Sequence, residues 1–198
     1  MNNLAAIILA AGLSRRMGEN KLLLDADGRP MVRHAAALCQ AAGFSPIIAV
    51  LGHQAAQVEP ALAGLPVQCV LNESFATGMA SSLITGLAAL PAETAGVLVC
   101  LGDMPGITVD DILTLRAAFA PENGRAICIP VHGGRRGNPV LLGRQIFADI
   151  SGISGDQGAK PIIQKHAALV AEIPAGPGVL MDIDTPEAYA ALKQNSLT

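Results

Sequence analysis

The chain has 198 residues, 51% apolar and 15% charged, with a net charge of −3 at neutral pH. That length and balance suit one domain with a sizeable buried core and argue against disorder. With no block of basic residues and only 3% aromatics, the chain is no nucleic-acid platform.

The first element is "LAAIILA" (residues 4–10), a continuous apolar run read as a strand buried on both faces. It lacks a basic lead and stops at a polar loop, so it is not expected to be a secretory signal. The loop, "AGLSRRMGENK" (residues 11–21), combines two glycines, a serine and three cations, the composition of an anion-binding turn. It fits neither common phosphate loop. Gly12 is followed by Leu13 and Ser14, which breaks G-x-G-x-x-G, and Gly18 is followed by Glu19 where a P-loop needs Lys.

Next, Met31, Ala35, Leu38 and Ala42 follow a helical period that Gly43 ends. "PIIAVL", "VQCVL", "GVLVCL" and "AICIPV" are read as further buried strands. Met79, Leu83, Leu87 and Leu90 mark a helix ending at Pro91, and Thr108 caps another through Phe119, with Asp110 and Asp111 in its first turn. "HGGRRGNPVLLG" is read as a hairpin or lid, because paired glycines supply positive φ. "GVLMDID" is expected to be the last strand. Thr185 and Pro186 then open the final helix as N-cap and first residue.

Strands alternating with helices predict an α/β fold: a three-layer, Rossmann-like, mostly parallel sheet flanked by helices, with a small C-terminal hairpin or lid. No repeat or linker divides the chain, so residues 1–198 are read as one domain. Cys39, Cys69, Cys100 and Cys128 are isolated, and three of them sit in strand-like runs where free Cys acts as a small hydrophobe. A reduced, cytoplasmic protein without disulfides or structural zinc is expected. No run approaches the ~20 apolar residues of a membrane span. Ligands of such sheets bind beyond the strands' carboxyl ends, so the candidate loops are residues 11–21, 52–53, 72–82, 102–106 and 182–184.

Within those loops, Asp103 lies just past a strand end, in "LGDMPG", and Asp182 and Asp184 are alternate residues of an extended stretch. Two carboxylates opposite a cationic, glycine-hinged loop suit Mg²⁺ and a polyphosphate.

"LAAGLSRRMGENK" resembles the signature loop of the MobA-like nucleotidyltransferase family, L-A-x-G-x-S/G-x-R-M-G with a lysine shortly after. Other stretches carry the likeness along nearly the whole chain: "LNESFATGMASSLITGLAAL", the G-D-x-P turn, "RRGNPVLLGR", "SGDQGAKPII" and "DIDTPE". The resemblance is strongest to the molybdenum cofactor cytidylyltransferase group. It implies that the backbone of Leu9, Ala10, Ala11 and Gly12 lies against the base, and that Ser14, Arg15, Arg16 and Lys21 hold phosphates. Lys21 and Arg16 then serve catalysis with Asp103. Asn72, Gly78, Ser81 and Ser82 would shape the base and ribose site. Asp103 would bind Mg²⁺ (Mn²⁺ able to replace it), with Asp184 favoured over Asp182 as its partner.

Arg135, Arg136 and Lys160 are available for an acceptor phosphate, with Asn138 and Asp156 for a pterin edge. Residues 1–110 would thus mainly bind the nucleotide and 130–190 mainly the acceptor. L-A-A-G rather than L-A-G-G implies CTP rather than GTP, because Ala11 adds a Cβ. The implied reaction moves CMP from CTP onto the phosphate of molybdopterin or the molybdenum cofactor, releasing pyrophosphate, with a molybdenum hydroxylase as recipient partner. Two alternatives remain: a related transferase acting on a sugar or alcohol phosphate, and a cofactor-binding chaperone for an apo-hydroxylase. The failed G-x-G-x-x-G disfavours a nicotinamide oxidoreductase.

Overall fold

The structure, a computed structural model, describes residues 3–14 and 16–195. Strand β1 (Leu4–Ala10) sits near the middle of the main sheet. Both of its faces are covered: Leu4, Ala6, Ile8 and Ala10 enter one apolar layer, Ala5 and Ile7 the other. This is why the run has no polar alternation.

A small antiparallel pair, β2 (Asp25–Ala26) and β3 (Arg29–Pro30), leads into α1 (Met31–Ala41). Then follow β4 (Ile47–Leu51), α2 (Ala55–Val58), β5 (Val67–Leu71), α3 (Met79–Ala88), β6 (Gly96–Leu101) and α4 (Val109–Ala118). The predicted cap is present: the Thr108 hydroxyl accepts the Asp111 N–H at 3.2 Å, and the Asp111 carboxylate accepts the Thr108 N–H at 3.0 Å, a capping box.

Strands β7 (Ile127–His132) and β8 (Arg135–Arg136) form the predicted hairpin. Gly133 and Gly134 both have positive φ, 55° and 75°, as a two-residue I′ turn requires. Strand β9 (Val140–Gly143), helices α5 (Phe147–Ile150) and α6 (Lys160–Lys165), strand β10 (Val170–Pro174) and helix α7 (Pro186–Asn195) complete the order.

The sheet runs β10-β7-β9-β6-β1-β4-β5. Pairs β1–β4, β1–β6, β4–β5 and β7–β10 are parallel, whereas β9 is antiparallel to both β6 and β7. The sheet is therefore mostly parallel, with helices on both faces, as expected. Residues of α1, α2 and α4 fill one apolar layer, and those of α3, α5 and α6 the other. Among the described residues no helix is long and apolar enough to cross a membrane.

One expectation is corrected and one strand is added. "GVLMDID" is not a strand: Pro177–Leu180 form a 3-10 turn and the residues to Asp184 pair with no strand. The sheet edge in that region is taken by β10, "VAEIP", which the sequence reading passed over. Its half-buried, mixed residues lack the continuous apolar run that marks the inner strands.

Candidate functional site

β1 is flanked by β4 on one side and β6 on the other, so chain order reverses between β1 and β6. A crevice opens there at the carboxyl ends, the expected place for a ligand. Its first wall is the loop after β1. Ser14 takes positive φ (47°), and its hydroxyl accepts the Lys21 N–H at 3.3 Å, closing the loop on itself. The Asn20 side chain caps the 3-10 turn Lys21–Leu23 by accepting the Leu22 N–H at 3.1 Å. Leu22 is buried, packing where Gly102 leaves space; a Cβ on Gly102 would stand 3.0 Å from Leu22 Cδ2. Anchored this way, Lys21 sends its side chain into the crevice.

The second wall is the turn after β6. The Gly102 N–H donates to Leu9 O at 3.2 Å, and Asp103 follows. The third is the segment before α7, where Asp182 and Asp184 line the crevice. The Lys21 ammonium pairs with both Asp103 and Asp184, and the Arg16 guanidinium reaches Asp184 from the other side. Asp103 Oδ1 is buried with no hydrogen-bond partner.

These contacts shift all three titrations. Burial opposes the charge of Lys21, but Asp103 and Asp184 outweigh it and raise the pKa. At Asp103 burial wins: with Asp184 adding repulsion, it pushes the carboxyl up despite Lys21. Asp184 is less enclosed; burial works against its charge there too, but Lys21 and Arg16 overcome it and hold the carboxyl low.

A cavity of about 460 Å³ is lined by Leu9, Ala11, Gly12, Ser14, Arg16, Lys21, Gly78, Ser82, Asp103 and Asp184, all expected from sequence. Arg15 lies outside the described residues. Leu13, Phe75, Ala76 and Met79 also line it and were missed. Phe75 was the most findable of these, as one of only four phenylalanines and the one set in a polar stretch. A second cavity, about 500 Å³, adjoins the first and shares Leu9, Met79, Leu101 and Asp156 with it. Asn138, Asp156 and Lys160, three of the expected acceptor residues, come together in this second space, over an apolar floor that includes Leu83, Val99, Ile129 and Val140.

Three expected side chains stand elsewhere, whereas Ala10, expected through its backbone, turns only its methyl into the core, as alternation from its neighbours requires. Asn72 is buried behind the crevice wall; its amide donates to Ser81 Oγ at 2.8 Å and Ser82 Oγ at 3.0 Å, and its oxygen accepts the Ser74 N–H at 2.9 Å. Asn72 and Ser81 line neither cavity; they tie the β5–α3 loop to the start of α3. Arg135 likewise lines neither. Its neighbour Arg136, on the opposite face of β8, does, held by Glu172 of β10 at 2.7 Å.

The donors suit a hard cation. Carboxylate oxygens of Asp103 and Asp184 converge on one ammonium, and the partnerless Asp103 Oδ1 has unused capacity. Mg²⁺ is commonly held by one or two carboxylates plus phosphate oxygens and water. Among the described residues no group of three or more His, Cys, Asp or Glu could hold a metal, so such an ion would need ligands from a bound nucleotide.

The family described as MobA-like NTP transferase domain matches residues 6–170. The nicotine blue oxidoreductase of Paenarthrobacter nicotinovorans is 32% identical over 171 residues, 83% of this chain and 83% of that protein. The purine catabolism protein PucB of Bacillus subtilis is 28% identical over 204 residues, with 96% of each chain covered. Among solved structures, Rv0371c of Mycobacterium tuberculosis H37Rv has the same fold, at TM-score 0.86 and 25% identity over 98% of both chains. That protein has also been solved in complex with manganese, and this second structure matches at TM-score 0.80 and 23% identity over 98% of both chains.

Proposed function

The chain belongs to the MobA-like NTP transferase domain family, and from that premise we propose that it is a Mg²⁺-dependent cytidylyltransferase of molybdenum cofactor synthesis. It transfers CMP from CTP to the terminal phosphate of a molybdopterin-type acceptor and releases pyrophosphate. A molybdenum hydroxylase is the expected recipient of the product. In this reading residues 1–110 mainly hold the nucleotide and residues 130–190 mainly the acceptor, with Asp184 closing the first cavity and Leu83 and Val99 flooring the second.

One observation carries the reading: Lys21, Arg16, Asp103 and Asp184 meet at the mouth of one cavity, which opens into a second with an apolar floor and a polar rim. A sugar phosphate has few apolar faces to set on Leu83, Val99, Ile129 and Val140, whereas a flat heterocycle buries one there. The rim then offers Asn138 and Asp156 to its polar edge and Lys160 and Arg136 to its phosphate.

The acceptor's phosphate oxygen attacks the α-phosphorus of CTP; the new P–O bond forms as the bond to the β-phosphate oxygen breaks. The attacking phosphate is already ionised, so no side chain need serve as nucleophile or base. Lys21 and Arg16 bring positive charge to the triphosphate as charge moves onto the leaving pyrophosphate. Both cations pair with Asp103 or Asp184 in this structure, so turning to phosphate frees those carboxylates. Bound there, Mg²⁺ would add charge neutralisation at the attacking and leaving oxygens. A protein of this fold has been solved in complex with manganese, which supports use of a divalent ion.

The test incubates the protein with each of CTP, GTP, UTP and ATP, Mg²⁺, and molybdopterin, sugar-phosphate or alcohol-phosphate acceptors, reading pyrophosphate. Release is expected with CTP and molybdopterin. Turnover only with a sugar or alcohol phosphate, or oxidation of NAD(P)H without pyrophosphate release, would overturn the assignment.

A further inference from the structure

Asp184 stands on no strand, so something else must hold it opposite Asp103. Its segment is wedged between two other parts of the site. On one side Gly178 meets the turn after β6 backbone to backbone: a Cβ on Gly178 would lie 1.7 Å from the Gly106 carbonyl oxygen and 3.0 Å from Gly106 Cα. On the other side a Cβ on Gly137 would lie 2.2 Å from Val179 O. That same oxygen accepts the Asn138 N–H at 2.9 Å. Further along, the Ile183 N–H donates to Asp103 O at 3.0 Å, and the Ile183 side chain is buried.

We propose that Gly178 is a positioning residue, whose missing side chain sets the spacing of Asp103 and Asp184 and with it the affinity for the divalent ion. The proposal rests on those two carboxylates being the metal pair. Carbon and oxygen in close contact stand about 3.3 Å apart. An alanine at 178 must therefore drive its segment from the Gly106 turn by roughly 1.5 Å. Val179 is held on its other side by the Asn138 N–H, which donates to Val179 O at 2.9 Å. The displacement passes into residues 180–184, which pair with no strand but are tied to Asp103 through the Ile183 N–H, so it strains the link between Asp184 and Asp103. Metal ligands tolerate errors of about 0.2 Å, so a shift of that size takes Asp184 out of coordination.

The contact also links the two cavities. Gly137 and Asn138 line the acceptor space, and Asp103 lines the nucleotide space. The backbone of 178–179 is the spacer between them.

The experiment measures Mn²⁺ binding by electron paramagnetic resonance in the presence of CTP, for wild type, Gly178→Ala and Gly106→Ala. Gly178→Ala is expected to bind Mn²⁺ about 10- to 100-fold more weakly, as for groups that orient metal ligands. Its kcat should fall by a similar factor and recover in excess Mg²⁺, while KM for CTP at saturating metal stays near wild type. Gly106→Ala, whose Cβ would stand 3.1 Å from Gly178 Cα, should show a smaller loss of the same kind, and it decides the matter if Gly178→Ala does not fold. Gly152→Ala, with no atom nearer than 3.7 Å, should match wild type. Unchanged Mn²⁺ affinity in the folded variants, or an activity loss that excess Mg²⁺ cannot restore, would overturn the proposal. Wild type that binds CTP but no Mn²⁺ would instead remove the metal pair itself, and the proposal with it.

Discussion

Two parts of the crevice are held by different kinds of contact. Within the loop after β1 the ties are short in sequence. Ser14 accepts from Lys21, seven residues on, and Asn20 caps Leu22, two residues on. Around β8 and the segment before α7 they are long: Arg136 to Glu172 spans 36 residues and Asp111 to Gly176 spans 65. A wall made of local turns can be read from its own residues and keeps its shape if the other wall changes. A wall made of distant contacts exists only once the sheet has formed. The two meet where Lys21 pairs with Asp103 and Asp184, and variants there should have the largest effects.

Asp103→Ala is the strongest test of that junction. Turnover should drop by at least about 10³-fold, the scale of losing a group that supports transition-state charge. Folding should survive, because Lys21 keeps Asp184 as its partner and the carboxylate removed was itself opposed by burial. Thermal unfolding and pyrophosphate release check both halves. A collapsed melting temperature would make Asp103 a keystone of the fold instead, and near-normal turnover would dismiss the metal assignment.

The same contrast decides what the sequence could show. Strand β1, its loop and the Gly102–Asp103 turn are written in contiguous residues: an apolar run, then glycine, serine and cations, then an acid after the next apolar run. The caps at Thr108 and Thr185 are equally local, and both are present; the Thr185 hydroxyl accepts the Ala188 N–H at 3.3 Å. Antiparallel β9 was legible only as half of a hairpin. Its place between β6 and β7 depends on pairing that no local pattern records. β10 and the 177–184 segment exchanged roles for the same reason. The segment looks more strand-like than the strand, but backbone contacts with Gly106 and Gly137 hold it outside the sheet. At Asn72 and Ser81 the residue types were correctly noticed and their partners were not, because hydrogen bonds among neighbours look identical in sequence to groups awaiting a ligand.

A milder pair of variants asks whether the wall proposed to meet the acceptor is aimed as its strand alternation requires. Arg136→Ala should raise KM for the acceptor about tenfold, the worth of one lost charged contact of ~1.4 kcal/mol, with KM for CTP unchanged. Arg135→Ala, one residue away on the other face of β8, should leave both constants within about twofold, as expected when no contact is lost. Equal effects from the two would mean that the hairpin acts only through its overall charge. Steady-state kinetics with each substrate varied in turn separates these outcomes.

The smallest effect expected concerns how the long-range wall is fastened at its far end. Asp111 caps α4 with one carboxylate oxygen, and with the other accepts the Gly176 N–H at 2.9 Å. Burial opposes its charge, but the Gly176 and Thr108 donors outweigh that and hold the carboxyl below its ordinary value. A carboxyl with a lowered folded pKa adds stability above its unfolded pKa, about 3.9. That contribution is lost as pH falls through the folded value. Asp111→Asn should therefore cost about 1 kcal/mol at pH 7, the usual worth of a capping group. The gap from wild type should close as the pH falls below about 4 and through the lowered folded value, where Asp111 itself becomes neutral. Urea unfolding at several pH values measures it. A gap that stays constant down to pH 2 would show that the charge of Asp111 contributes nothing, and that the loop at Gly176 is held by packing against Gly106 and Gly137 alone.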